Sequence, residues 1–277
     1  MTRLGVSFTP SFPPERLASV ARAAEASGLD ELWLWEDCFN ESAIATATAA
    51  LAVTDRITVG IGLLPVPLRN VALAAMEIAT IERMFPGRLL PGVGHGVQSW
   101  MGQAGVRVES PLTLLREYTD ALRRLLAGER VSVTGRYVRL DDVALNWPPA
   151  APVAISGGGI KEKTLALCGE IADGTILVGG LPPDAVRAAR RTVDAAQAGS
   201  GRAGAHRLTV FCDLPGDGRD AGTLAEAVRG YLDAGADAVI VTPASGEADL
   251  EHFVAFVATE VRARIDGAAP RPGSAAQ

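Results

Sequence analysis

Two periods alternate along this chain. Short runs rich in Val, Ile, Leu and Trp have the length of buried strands. Longer runs repeat apolar residues at three- and four-residue spacing, as helices do. The first pair reads as a strand over residues 4–8 and a helix with Leu17, Val20, Ala21 and Ala24 on one face, stopped by Gly28. The unit recurs, with strands over 31–35, 57–64, 88–93, 153–156, 174–178, 208–214 and 238–242. Helices over 42–53, 71–84, 111–126, 162–169, 184–198 and 224–234 lie between them, and Ile78, Ile81 and Met84 are placed on the inward face of the third. A last helix carries Leu250, Phe253, Phe256, Val257, Val261 and Ile265 at helical spacing. Pro91 cannot donate to a ladder, so the fourth strand is expected to bulge or stop early there. Residues 131–140, two β-rich runs around Gly135, read as a small hairpin outside the alternation. Residues 267–277 are small and Pro-rich and read as a frayed tail.

Eight strands alternating with eight helices are what a closed parallel barrel requires. The fold class is therefore α/β: a (β/α)₈ TIM barrel, one domain over residues 1–266, with a small hairpin insertion. An open doubly wound sheet, of about five to seven strands, is the runner-up. Both architectures place function at the carboxyl ends of the strands.

Composition narrows the picture. The 277 residues are 48% hydrophobic and only 5% aromatic, so the core is mostly Ala, Val, Leu and Ile. A net charge of −6 argues against a general nucleic-acid binder, which wants a basic face. It leaves room for an anionic small molecule at a local site. Cys38, Cys168 and Cys212 are odd in number, widely spaced and without a CxxC pair, which argues against disulfides and structural zinc and fits a reducing compartment. Residues 1–10 lack a signal-peptide pattern, and the apolar run 43–53 is too short to cross a bilayer. The expectation is a cytoplasmic protein with no membrane partner.

Four strand ends carry candidate chemistry. Glu36 and Asp37 close the second strand; Asp37 either contacts a polar cofactor ring or a proton donor, or simply begins a turn or caps the next helix. Gly60 and Gly62 inside the third strand mark either close backbone approach or a bulge that helps close the barrel. Gly94, His95 and Gly96 follow the fourth strand, where alternating glycines can turn N–H groups toward a ligand and His95 can donate to an anion or a reacting group. The alternative there is a flexible loop with a surface histidine. Ser156, Gly157, Gly158, Gly159 and Ile160 lie between a strand and a helix start, the arrangement that cradles phosphate, unless they are only a glycine-rich turn. His206 and His252 read as surface residues. No HExxH, GxSxG, GxxxxGK[ST] or metal-spaced cluster is present, so a metal site is not expected. A barrel with cradles but few catalytic side chains suits a protein whose cofactor does the chemistry.

At four segments the chain resembles the bacterial luciferase-like superfamily of flavin-dependent monooxygenases and deazaflavin-dependent reductases. They are GLDELWLWED (28–37), TDRITVGIGLLPVPLRN (54–70), ATIERMFPGRLLPGVGHG (79–96) and SGGGIKEKTLALCGEIADGTIL (156–177). GERVSVTGRYVRLDDVAL (128–145) is similar to the family's hairpin insertion. The resemblance implies a cofactor ring at the strand ends, held near Asp37, with a cis bond between Gly62 and Leu63 behind it. It implies that Gly94, His95 and Gly96 approach the cofactor's side chain and that Gly157, Gly158, Gly159 and Ile160 hold its phosphate. Phe8, at the end of the first strand, joins the expected cofactor-binding residues, and Asp37 and His95 are the expected catalytic ones.

Two positions depart from the family pattern. Many relatives follow the second-strand Asp with His, where this chain has Cys38; the sugar-phosphate dehydrogenases carry a Glu where it has Val97. Both losses argue against a sugar-phosphate dehydrogenase. The leading expectation is hydride exchange between reduced 8-hydroxy-5-deazaflavin (coenzyme F420) and a small organic substrate with an activated C=C or C=N bond. The runner-up is an FMN-dependent monooxygenase using oxygen. A non-catalytic cofactor-binding barrel is a further alternative, and a phosphate-binding isomerase or aldolase barrel would want a strand-end Lys or Glu that only Glu36 supplies. The family resemblance also implies a homodimer.

Overall fold

The computed structural model describes residues 3–213 and 220–267. Of the expected tail over 267–277, residues 268–277 lie outside the described residues, as does the end of the seventh expected strand at Leu214. In chain order the elements are β1 (Arg3–Phe8), α1 (Leu17–Ala26), β2 (Glu31–Leu34), α2 (Ala43–Ala52), β3 (Thr58–Pro65), α3 (Val71–Met84), β4 (Leu89–Gly94), α4 (Gln98–Gln103) and α5 (Pro111–Leu126). There follow β5 (Val131–Thr134), β6 (Arg139–Val143), β7 (Ser156–Gly158), α6 (Glu162–Ile171), β8 (Gly174–Leu177), α7 (Pro183–Gly199), β9 (Arg207–Asp213), α8 (Ala221–Asp233), β10 (Ala238–Thr242), α9 (Leu250–Phe256) and α10 (Arg262–Asp266). A turn of π-helix, Val257–Val261, joins the last two, where the sequence period predicts one continuous helix.

Eight strands close in the order β1-β10-β9-β8-β7-β4-β3-β2, all parallel, and β5 and β6 form the separate antiparallel hairpin. The barrel and its hairpin insertion thus follow the sequence pattern. Pro91 stays within β4, and the bulge falls on the neighbouring strand instead. Between the rungs Ile61↔Pro91 and Leu64↔Val93, β3 carries one residue more than β4. The fifth barrel strand begins three residues later than expected and runs into the glycines. Met84 is exposed, not inward; Ile78 and Ile81 face the core while Leu73, Met76 and Met84 lie on the outer face.

The strands' two-residue period decides what reaches the barrel interior. Leu4, Val6 and Phe8 of β1 pack outward into the sheet–helix core, as do Val239 and Val241 of β10. Trp33, Ile176, Phe211 and Ile240 point inward and fill the middle of the barrel with Leu90 and Trp35 against them. Gly60 makes room for Trp33, because a Cβ there would collide with its indole ring. Below this layer the fully buried Glu31 accepts a 2.8 Å hydrogen bond from Trp33 Nε1 and an ion-paired bond from Arg207.

One device recurs around the amino-terminal rim. Asp30, Asp173 and Asp237 each stand one residue before a strand, at β2, β8 and β10. Each carboxylate accepts the backbone N–H of the residue leading into or opening the adjacent strand: Leu4 at 2.9 Å, Ile155 at 2.9 Å and Leu208 at 2.7 Å. Each Asp N–H in turn donates to the carbonyl of that same residue. Arginines then neutralise all three: Arg262 on Asp30, Arg123 and Arg202 on Asp173, and Arg190 on Asp237. The clamps tie β1 to β2, β7 to β8 and β9 to β10 at the end of the barrel opposite the site.

Candidate active site

Continuing each strand's inward set by one more residue gives the carboxyl-terminal mouth. From β9, β10, β1 and β2 these residues are Asp213, Thr242, Thr9 and Trp35. From β3, β4 and β7 they are Gly62, Gly94 and Gly158. One half of the mouth is thus polar and the other is made of glycines. Leu63 fills the space the glycines leave: a Cβ on Gly94 would come within 2.6 Å of Leu63 Cδ2, and one on Gly158 would collide with the same methyl. The Gly62–Leu63 peptide is cis, as the resemblance implies, and so is Cys38–Phe39, which nothing in the sequence marks.

Above this floor lies a cavity of about 1070 Å³. Trp35, Leu63, Ile176 and Phe211 give it apolar walls, and Trp35 and Phe211 meet edge to face at 5.4 Å between ring centres. Val97, Ile160 and Val178 line it while remaining 48%, 58% and 43% exposed. Apolar groups left open around a concavity mark a ligand surface.

Asp37, His95, Gly62, Leu63, Gly96, Gly158, Gly159 and Ile160 all line this cavity, so the structure brings together most of the residues singled out from sequence. Phe8, Gly94 and Gly157 do not line it. Phe8 faces outward, 5.9 Å from the Phe12 ring, because strand parity turns Ser7 and Thr9 inward instead. Gly94 lies beneath Leu63, and Gly157 faces α6, where a Cβ would sit 2.6 Å from Cys168 Sγ. His206, expected at the surface, is buried against Thr175 Oγ1 at 2.8 Å, far from the mouth.

The two acids after β2 have opposite surroundings. Glu36 is held by the two terminal guanidinium nitrogens of Arg69 and by the backbone N–H of Ala43 at 3.0 Å. Among the described residues the Asp37 carboxylate makes no hydrogen bond, and burial pushes its pKa above the ordinary aspartate value. His95 Nδ1 lies 2.9 Å from the Gly96 carbonyl oxygen. A carbonyl can only accept, so Nδ1 donates, and Nε2 of the neutral ring is left as an acceptor. At the far side, α6 begins at Glu162 with no side chain capping its first turn. Its free N–H groups, the positive helix end, Lys161 and Lys163 all border the cavity beside Gly159.

Sequence reasoning missed Trp35, Phe211, Asp213 and Thr242. The signal was available as parity: once Trp33, Phe211 and Ile240 are read as barrel-filling, the residue two further on each strand must face the mouth. Lys161 and Lys163 escape a search of strand ends because they stand at the start of α6. Among the described residues no group of three or more His, Cys, Asp or Glu could hold a metal ion, and no helix is long and apolar enough to cross a membrane.

A family model described as luciferase-like monooxygenase matches residues 2–247. A 5,10-methylenetetrahydromethanopterin reductase from Methanolobus tindarius is 32% identical over 180 residues, covering 65% of this chain and 55% of that protein. An F420-dependent glucose-6-phosphate dehydrogenase from Nakamurella multipartita is 31% identical over 184 residues, covering 62% of this chain and 54% of that protein. The match thus spans little more than half the length of these relatives. Among solved structures, the coenzyme F420-dependent tetrahydromethanopterin reductase of Methanopyrus kandleri superposes with a TM-score of 0.84 over 95% of this chain and 99% of that one. At 18% identity that likeness is one of fold.

Proposed function

The chain belongs to the luciferase-like monooxygenase family, and from that premise we propose that it is an oxidoreductase. It exchanges hydride between reduced 8-hydroxy-5-deazaflavin, coenzyme F420, and a small organic substrate with an activated C=C or C=N bond. The observation that carries this reading is the split mouth. Glycines and Leu63 make a flat apolar floor suited to a planar ring, and the uncapped start of α6 with Gly159, Ile160, Lys161 and Lys163 suits an anionic tail. Bound there, the cofactor supplies the hydride chemistry that no side chain of the site can provide.

The chain's own residues do the rest. Leu63, Ile176 and Phe211 keep water from the floor. Asp37, desolvated and unpaired, keeps its proton to higher pH than a surface aspartate and is suited to donate it. His95, fixed through Nδ1, offers Nε2 as a proton acceptor at the opposite wall. F420 is preferred to FMN because a relative of 31% identity carries F420 in its name. The second reading, an FMN-dependent monooxygenase, draws support from the description of the family model. Anaerobic assays decide between them. Reduced F420 should be oxidised by an enone or imine panel without oxygen. Turnover confined to reduced FMN with oxygen would overturn the proposal.

A further inference from the structure

A second recess of about 650 Å³ opens beside the main cavity and shares Trp35, Asp37 and Asp213 with it. It is built on the polar half of the mouth, from Thr9, Ser11, Asn40 and Thr242 as well as the two carboxylates. Among the described residues no Lys, Arg or His lines it, and neither carboxylate has a cationic partner. Asp213 leans against Gly179, where a Cβ would collide with its carboxylate oxygens. Thr242 is only 8% exposed, points inward from β10, and its Oγ1 has no hydrogen-bond partner. On the neighbouring strand Ser7 is 3% exposed with an equally unpartnered hydroxyl, and Trp35 Nε1 is unpartnered too. Native proteins rarely leave so many buried polar atoms unsatisfied in one place unless something else satisfies them.

Charge is separated across the mouth. Lys161, Lys163 and the positive end of α6 stand on the cofactor side, and Asp37 and Asp213 stand on the recess side. Resting on the cofactor reading above, we propose that this recess is the substrate subsite and that it selects substrates carrying a protonated nitrogen. An ammonium group has N–H donors for the Asp213 carboxylate, for the Thr242 hydroxyl and for the carbonyl oxygen of a protonated Asp37, and a charge-assisted bond is stronger than a neutral one. A phosphate or carboxylate would meet the like charge of Asp213 and, among the described residues lining the recess, no donor cation. That sets this chain's substrate apart from the sugar phosphate in the name of its Nakamurella multipartita relative.

Three probes of one shape test the inference by calorimetry on the full chain, with and without F420: cyclohexylamine, cyclohexanol and cyclohexanecarboxylate. The amine should bind at least about tenfold more tightly than the alcohol, and the carboxylate should not bind. Asp213→Asn should erase most of that preference. Thr242→Val, which keeps the side-chain shape, should weaken the amine about threefold or more. Equal binding of amine and alcohol would overturn the inference, as would binding of the carboxylate or indifference to Asp213→Asn. F420 titrations of the same proteins read the cofactor proposal separately. Thr242→Val should bind F420 within about twofold of the unaltered chain, since Thr242 lines the recess and not the main cavity. Loss of F420 binding by the unaltered chain, with the amine preference intact, would count against the cofactor reading and not against the recess.

Discussion

Glu31 and Asp37 lie six residues apart on one strand and its loop, yet they live in opposite circumstances. Glu31, at the amino-terminal end, is fully buried and fully satisfied by Trp33, Arg207 and the more distant Arg3. Asp37, at the carboxyl-terminal mouth, is half-buried, and among the described residues its carboxylate has no hydrogen-bond partner. The difference extends to both ends of the barrel. The amino-terminal rim is locked by three aspartate clamps, each neutralised by arginine. The mouth leaves the Trp35 indole nitrogen and the Thr242 hydroxyl without partners and Val97, Ile160 and Val178 open. In this fold one end holds the structure together and the other can be spent on a ligand.

That contrast predicts which changes hurt stability and which hurt function. Arg207→Ala leaves Glu31 buried with one weaker cationic neighbour and should cost about 3–5 kcal/mol in urea unfolding, with cofactor affinity unchanged wherever the protein stays folded. A smaller effect, about 2 kcal/mol, is expected for Asp173→Ala, which frees Ile155 N–H and two arginines. The Asp173 clamp also has a pH signature. Burial raises its pKa, but the Arg123 guanidinium and the Ile155 N–H outweigh burial and hold it below the ordinary value of 3.8. Its stabilisation is therefore complete above that value and is lost as pH falls through the lower, folded-state pKa. The Asp173→Ala chain should lack that part of the acid transition.

Asp37→Asn should reverse the pattern. Removing an unpaired, desolvated carboxylate should leave stability at pH 7 unchanged or raised by less than about 1 kcal/mol. Because the folded-state pKa of Asp37 is raised, the ionised form penalises folding above it. The penalty disappears as pH falls toward 3.8, so any gain should shrink over that window. Turnover with reduced F420 should nonetheless drop on the order of a hundredfold. A destabilised Asp37→Asn with full activity would break the comparison between the two ends.

The barrel was legible because its alternation is written in apolar spacing, and the core of the site because glycines at strand ends are rare without cause. What was missed has physical reasons. Phe8 was assigned to the site by its place at a strand end, whereas parity turns it outward. His206 follows a Gly-rich segment that reads as loop, yet burial against Thr175 lowers its pKa to about 4. The aspartate clamps do leave a trace in Leu29-Asp30-Glu31, Ala172-Asp173-Gly174 and Ala236-Asp237-Ala238. An acid before a strand looks like an ordinary turn until the partner strand is known. The pairing of Asp37 and Asp213 comes from residues 176 positions apart and needed the closed barrel to appear.

We propose that the mouth holds a deazaflavin by its anionic tail at the uncapped start of α6, between Lys161 and Lys163. Titrating F420 and FMN into the unaltered chain and into a Lys161→Glu, Lys163→Glu double variant tests it directly. The account predicts saturable F420 binding that weakens at least about tenfold in the double variant, with an unchanged melting temperature. Tight binding of FMN without F420, or F420 binding indifferent to the charge reversal, would contradict it.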